Sequence, residues 1–133
     1  MKIMDIEGIG PKFAAKLSKA GIRSTNALLK QGATAKGRKE IATKIGVAHT
    51  LVLEWVNRAD LYRIKGVGAQ YSDLLENSGV DTVVELSKRD AENLYAKMVK
   101  VNTAKELVRL LPGLKLVKGW IKQAKKLPRV VTY

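Results

Sequence analysis

One short stretch of the chain occurs twice, and this repeat limits the possible folds more than any other feature. IEGIGPKFAAKLSKAG at residues 6–21 returns as IKGVGAQYSDLLENSG at residues 64–79, an offset of 58 residues. Farther along, WVNRA at Trp55 is echoed by WIKQA at Trp120, where the offset is 65 residues, so the second copy has gained about seven residues near LPGLK. An internal repeat of this length predicts two copies of one supersecondary unit. We place the first unit at residues 1–61 and the second at residues 62–133.

Helix start and stop signals follow one another along the first unit. Residues suited to the start of a helix are Pro11, Ser24 and Thr34. Residues suited to the position just past a helix end are Gly21, Gly32 and Gly46. A fourth helix is indicated by the apolar face made of Leu51, Val52, Trp55, Val56 and Ala59. The first unit is therefore predicted to contain four helices.

The second unit has similar signals. They predict helices over residues 69–78, 82–88, 91–100, 103–111 and 114–127, and Thr103 and Glu106 have the spacing of a capping box. No Gly/Ser-rich linker separates the units, and no alternating β-branched stretch competes with the helices. We therefore predict an all-α protein in which tandem units pack as one compact helical domain.

The composition excludes several classes of protein. Of the 133 residues, 46% are hydrophobic, which is enough to form a buried core. Cysteine is absent, which removes disulfides, thiolate zinc sites, iron-sulfur clusters and cysteine nucleophiles and fits a reducing compartment. No apolar run is long enough to span a membrane, and no signal segment is evident. We expect a cytoplasmic protein that does not bind membranes.

The charge of the chain is strongly basic and unevenly distributed. The formal net charge is +13, which favours a polyanionic partner. Residues 62–96 hold four basic and six acidic side chains, whereas residues 97–133 hold ten basic and one acidic. In the last predicted helix five lysines share one face, opposite an apolar face that includes Trp120; they are Lys115, Lys118, Lys122, Lys125 and Lys126. These lysines predict a solvent-facing stripe that could follow a phosphate backbone or contact anionic lipid, and a merely solvated face is the alternative. The core role expected for Trp120 argues against lipid contact, because an interfacial helix needs its apolar side free.

The repeated glycines resemble those of the helix-hairpin-helix motif. GIGPKFAAKL in the first copy has the expected residue type at each position, and GVGAQYSDLL in the second is a partial match. Such glycines allow backbone angles closed to other residues and bring N–H groups to the surface, where a phosphate can bind. The resemblance implies sequence-independent binding of a nucleic-acid backbone, carried in the first unit by Gly8, Ile9, Gly10 and Lys12.

The second copy departs from this pattern at the positions that would bind phosphate. Gln70 and Leu74 replace the lysines of the first copy, and Asp73 and Glu76 would repel a phosphate. Phosphate binding is accordingly predicted to be weaker at the second hairpin, which consists of Gly66, Val67 and Gly68. This hairpin is instead expected to have a structural role.

Nearly the whole chain is also similar to the bacterial and archaeal family labelled domain of unknown function 4332. The stretches that carry this resemblance are IEGIGPKFAAKL, GATAKGRKEIA, LEWVNRADLYRIKGVG, YSDLLENSGVDTVVEL and LPRVVTY. The resemblance implies a fold made of tandem hairpin units and no particular activity.

From these observations we expect a protein that binds nucleic acid without catalysis and with little sequence preference. DNA is favoured over structured RNA as the partner. Besides the first hairpin, the basic residues expected to contact the backbone or supply the electrostatic field are Lys16, Lys36, Arg38, Lys39, Lys44 and the five lysines of the last helix. A helix-turn-helix around Gly46 would read bases instead, but its second helix offers no Arg, Lys, Asn or Gln to read a base edge before Asn57.

The alternative hypothesis is a protein-interaction or assembly module that uses the hairpin surfaces. An acidic protein could be its partner, or another copy of the chain could associate head to tail through the basic and acidic regions.

Catalytic and metal-binding patterns are not evident. His49 is the only histidine and has no acid, base or nucleophile nearby in the sequence. GIGPKFAAK lacks the preceding strand of a phosphate-binding loop, and the carboxylates are scattered. We expect no enzyme activity, no metal and no cofactor.

Overall fold

The computed structural model describes residues 2–133 as eight α-helices. They are α1 (Pro11–Lys19), α2 (Thr25–Gln31), α3 (Ala35–Ile45), α4 (His49–Leu61), α5 (Ala69–Asn77), α6 (Val83–Ser87), α7 (Ala91–Lys105) and α8 (Leu114–Lys126). A short 3-10 turn, Ile3–Asp5, precedes α1. The described residues contain no strand, only an isolated bridge between Lys2 and Ser24. The prediction of an all-α protein is confirmed.

Four of the eight helices begin where a side chain accepts a hydrogen bond from an otherwise unpaired N–H group. The Ser24 hydroxyl accepts from Ala27 N at 3.1 Å, and the Thr34 hydroxyl accepts from Gly37 N at the same distance. Thr82 and Asp90 cap α6 and α7 in the same way. Ser, Thr and Asp are less favourable inside a helix than at its start, where their side chains accept hydrogen bonds from backbone N–H groups. The sequence therefore predicted these boundaries.

The region after α7 differs from the prediction. The expected break near residue 101 is absent, because α7 continues through Thr103, whose hydroxyl donates to Val99 O at 2.8 Å. The helix ends at Lys105, and the next residue, Glu106, adopts a left-handed conformation with φ 50°. The predicted helix over residues 103–111 and its capping box are therefore wrong. Asn102 instead holds the following turn, donating to Val108 O and accepting from Val108 N.

The chain divides into two compact units. The first comprises the described residues up to Asp60 together with Val130–Tyr133, and the second comprises Leu61–Arg129. In the second unit, one cluster of buried side chains joins α5 to α8, with Leu74, Leu86, Leu94 and Trp120 among the most buried. In the first unit, Ile6, Leu17, Leu28 and Trp55 are buried to the same degree. Each unit therefore has its own apolar core.

The last residues of the chain add an extended segment to the first unit. Val131 is buried, and Thr132 N donates to Ala33 O at 2.8 Å. This segment lies outside every helix, and its hydrogen bonds attach it to the turn between α2 and α3.

Candidate functional site

The two copies of the repeated turn, residues 6–10 and 64–68, have nearly identical geometry. Gly8 has φ +91° and Gly66 has φ +93°, a conformation that favours glycine. In the first turn Ile9 N donates to Ile6 O at 3.1 Å, and in the second Val67 N donates to Ile64 O at 3.1 Å. Ile9 and Val67 are both buried. The apolar residue between the two glycines of each turn therefore packs into the core.

A tryptophan lies behind the first glycine of each turn. A Cβ atom on Gly8 would lie 3.6 Å from Trp55 Nε1, and one on Gly66 would lie 3.1 Å from Trp120 Nε1. The indole of Trp55 packs on Phe13 with ring centroids 5.3 Å apart, and that of Trp120 packs on Tyr71 at 5.4 Å. The two tryptophans are 65 residues apart and the two glycines 58, yet each tryptophan lies against the first glycine of its own turn.

The first turn and the start of α1 carry backbone N–H groups that have no partner in residues 2–133. The N–H groups of Gly8, Gly10, Lys12 and Phe13 donate to no protein acceptor, whereas Ala14 N donates to Gly10 O. Pro11 begins α1, and a proline has no N–H group to donate. Unpaired donors and the positive end of the helix dipole together favour an anion at this position.

The lysines of the first unit lie mostly in solvent. Lys12, Lys36, Lys39 and Lys44 are exposed, and Lys16 is partly exposed. Lys12 follows directly on the turn that carries the free N–H groups. On α3, an open groove of about 590 Å³ is lined by Lys36, Lys39, Glu40, Thr43 and Lys44. The structure thus presents a basic surface along α1 and α3.

Comparison with protein-family models places residues 7–127 in the family described as a domain of unknown function (DUF4332). The chain belongs to this family. The match includes both glycines of each repeated turn and the whole of α8. No curated protein and no solved structure gives a significant match.

Arg38 is a correction to the predicted binding residues of this DUF4332 protein. Its side chain is only 5% exposed, and its guanidinium donates to Gly32 O at 2.9 Å, to Ala33 O at 3.0 Å and to Thr132 O at 2.7 Å. Burial lowers the pKa of this guanidinium, and an electrostatic interaction with Tyr133 acts in the opposite direction. Arg38 therefore holds the C-terminal segment on the first unit and is not available to a phosphate.

Lys19 is a basic residue that the sequence analysis missed. It lines a cleft of about 300 Å³ with Lys16 and Ala20 at the end of α1 and with Lys44 and Ile45 at the end of α3. We call this the α1–α3 cleft. The spacing of Lys12, Lys16 and Lys19 along α1 is a signal that could have identified Lys19, because residues four and three apart share a helix face. Its proximity to Lys44 depends on the packing of α1 against α3.

The second turn differs from the first in its surroundings. At the positions of Lys12 and Lys16 stand Gln70, which is exposed, and Leu74, which is fully buried. Leu116 on α8 is 42% exposed and has a methyl carbon 3.9 Å from a Cβ built on Gly66. The second turn therefore has an exposed apolar side chain beside it and lacks lysines at the positions of Lys12 and Lys16.

Helix α8 presents its lysines to solvent. The lysine stripe, as we call it, consists of Lys115, Lys118, Lys122, Lys125 and Lys126, and all five are exposed. On the opposite side Val117, Trp120, Ile121 and Ala124 are buried. Three of the lysines also line a cavity of about 310 Å³ with Arg89 and Asp90 at the start of α7. The predicted separation of the two faces is confirmed.

Residues 2–133 offer no cluster of three or more histidine, cysteine or acidic side chains that could hold a metal ion. His49 is exposed at the start of α4. None of the helices described is long and apolar enough to cross a bilayer.

Proposed function

We propose that the two repeated turns are helix-hairpin-helix motifs and that the protein binds nucleic acid through backbone phosphates. DNA is the favoured partner and structured RNA the other candidate, in a cytoplasmic setting and without catalysis. The observation that carries the proposal is the set of unpaired N–H groups at the first turn and the start of α1, those of Gly8, Gly10, Lys12 and Phe13, together with the exposed side chain of Lys12. Backbone N–H groups and a lysine recognise phosphate oxygens and carry no base information.

The remaining exposed lysines of each unit add positive charge that attracts a polyanionic ligand. In the first unit these are Lys16, Lys36, Lys39 and Lys44, and in the second unit they form the lysine stripe. If six to ten of these groups contact phosphates, the affinity falls about 10³- to 10⁵-fold between 50 and 200 mM salt. The proposal therefore includes a steep dependence of affinity on salt.

The first test is fluorescence anisotropy of labelled duplex DNA, single-stranded DNA and hairpin RNA at several salt concentrations. Lys12→Glu is expected to weaken binding at least tenfold, because it removes one phosphate contact and introduces repulsion at the same point. Lys100→Glu is the matched control, since Lys100 is exposed on α7 and the change in net charge is the same. If Lys12→Glu and Lys100→Glu weakened binding equally, the first turn would not be the phosphate anchor. Absence of binding to all three ligands at low salt would overturn the nucleic-acid proposal.

A second candidate is a protein-interaction module that uses the second turn. The observation that favours it is apolar exposure in the second unit, where Leu116 lies beside Gly66 and Leu110 is 77% exposed. The Leu110 carbonyl accepts from the Tyr71 hydroxyl at 3.0 Å, which holds this leucine close to α5. Exposed apolar groups of this kind can contact a partner protein or another copy of the chain.

Light scattering against protein concentration tests self-association, which is one form of this second candidate. Association through apolar side chains predicts a rising mass that Leu116→Ser abolishes. A constant monomer mass at high concentration and low salt would remove self-association.

A further inference from the structure

We infer that the α1–α3 cleft is a second phosphate site and that one strand of the ligand runs along α1 from the first turn to this cleft. The inference rests on the proposed function and specifies its footprint: a continuous phosphodiester strand that Lys12, Lys16, Lys19 and Lys44 contact in that order. It assigns a binding role to Lys19.

The cleft brings three ammonium side chains together without a neutralising carboxylate. Its lining residues are Lys16, Lys19, Ala20, Lys44 and Ile45. Within residues 2–133, none of the three lysines has an ion pair or a side-chain hydrogen bond. Like charges around one cleft repel each other, and a bound phosphate would relieve this repulsion. The charge of the cleft therefore suits an anion.

The lysines are not needed to cap the helices on which they lie. At the end of α1, the carbonyls of Lys16, Leu17 and Ser18 already accept from backbone N–H groups of the following turn. At the end of α3, Ala42 O accepts from Gly46 N at 2.9 Å and from Val47 N at 3.1 Å. Lysine side chains near a helix end often bond its last carbonyls. At the carbonyls named above the backbone already does so, and within residues 2–133 the three ammonium groups donate no hydrogen bond to a protein acceptor.

The second unit shows that the fold does not require lysines at these positions. The residues 58 positions after Lys16, Lys19 and Lys44 are Leu74, Asn77 and Asn102. Leu74 is part of the core, Asn77 bonds to Asp73 and Lys105, and Asn102 holds Val108. In the second unit these positions serve internal packing and hydrogen bonding. The fold of the first unit therefore does not require lysines at these positions, and they are free to contact a ligand.

The spacing along α1 suits successive phosphates of one strand. Lys12, Lys16 and Lys19 lie on one face of the helix, since their angular positions at 100° per residue fall within about 60°. With a rise of 1.5 Å per residue, Lys12 and Lys19 are about 10 Å apart along the axis. One strand of duplex DNA advances 3.4 Å per nucleotide along the duplex axis, so this face, aligned with that axis, spans about three nucleotides. The first turn, Lys16 and the cleft then contact neighbouring phosphates.

The test uses fluorescence anisotropy to measure how the affinity for duplex DNA depends on salt, for the full chain and for four variants. Lys12→Ala, Lys19→Ala and Lys44→Ala are each expected to reduce the slope of log K against log salt by about 0.9 and to weaken binding about five- to tenfold at 100 mM salt. Lys100→Ala, the exposed control on α7, is expected to leave the slope unchanged. Circular dichroism should be the same for all variants, because Lys12, Lys19, Lys44 and Lys100 are exposed.

The outcomes separate this inference from the proposed function. If the wild type binds and Lys12→Ala lowers the slope while Lys19→Ala and Lys44→Ala behave like Lys100→Ala, the phosphate path along α1 is overturned and the anchor at the first turn stands. If the wild type does not bind DNA at 50 mM salt, the proposed function fails and the path fails with it.

Discussion

Gly8 and Gly66 occupy equivalent positions, but the space around them differs. Both have φ near +90°, which an L side chain rarely adopts. The Trp120 nitrogen is 3.1 Å from a Cβ built on Gly66, whereas the Trp55 nitrogen is 3.6 Å from one built on Gly8. The need for glycine could be predicted from the repeat, because it is a local backbone property. The tighter contact at Gly66 depends on how α8 packs.

At the residue scale, we expect Gly66→Ala to destabilise the protein more than Gly8→Ala. The unfavourable φ alone costs about 1–2 kcal/mol at either position, and the contact with Trp120 adds to this at Gly66. Gly119→Ala is the control, because Gly119 lies inside α8 with no atom within 4 Å of the added Cβ, and helix propensity favours alanine by about 1 kcal/mol. Urea unfolding followed by circular dichroism measures all three. Equal losses for Gly66→Ala and Gly119→Ala would contradict the backbone argument.

Arg38 and Lys39 are neighbours in the sequence with opposite surroundings. Arg38→Ala is expected to lower the free energy of unfolding by about 2–4 kcal/mol, because it leaves three carbonyls without their charged donor. Lys39→Ala should leave stability unchanged within about 0.5 kcal/mol, since Lys39 is exposed. DNA affinity is measured at a temperature where both variants are folded. In that measurement we expect only Lys39→Ala to weaken binding. If Arg38→Ala lowered DNA affinity and left the stability unchanged, Arg38 would belong to the binding surface.

Among the elements, α8 was predicted accurately and the end of α7 was not. The apolar and charged residues of α8 separate cleanly at helical spacing, so its position and orientation follow from the sequence. Thr103 and Glu106 have the spacing of a helix start, but Thr103 lies inside α7 and Glu106 follows its end. Two hydrogen bonds between the Asn102 side chain and the Val108 backbone fix the turn that follows, and the capping pattern does not contain them.

At the element scale, Glu106→Gly tests where α7 ends. Glu106 has φ 50°, where glycine avoids the strain of a side chain, so we expect the substitution to stabilise the protein by about 0.5–1 kcal/mol. Ala96→Gly, in the exposed middle of α7, is the control and should cost about 1 kcal/mol. Thermal or urea unfolding reports both changes. A helix beginning at Thr103 would give the opposite sign for Glu106→Gly, because its capping box would be lost.

For the whole molecule, the net charge of +13 is divided among separate surfaces. The first unit carries the free N–H groups and the lysines of α1 and α3, and the second unit carries the lysine stripe. Because the stripe is exposed along its whole length, its charges can be removed without disturbing the buried side of α8. The contribution of each surface to binding can therefore be measured separately.

We expect a variant with Lys115, Lys118, Lys122 and Lys125 all changed to Gln to bind duplex DNA with a smaller salt slope. Each lost phosphate contact reduces the slope by about 0.9, so a stripe in full contact predicts a reduction of about 3.6. The circular dichroism spectrum should not change, because all four side chains are exposed. Anisotropy titrations between 50 and 200 mM salt measure the slope. An unchanged slope would make the stripe a solvated face with no contact to the ligand.

The sequence by itself determined the all-α class, the duplication, most helix boundaries and the two faces of α8. These properties arise from interactions within about one helical turn, such as a Ser or Thr cap, a glycine with positive φ, or apolar residues at helical spacing. Only the tertiary structure decided that Arg38 is buried, that Lys19 and Lys44 line one cleft, and that α7 extends to Lys105. The reason is physical: arginine and lysine have the same charge in a sequence, and their burial depends on packing partners distant along the chain, such as Thr132 for Arg38.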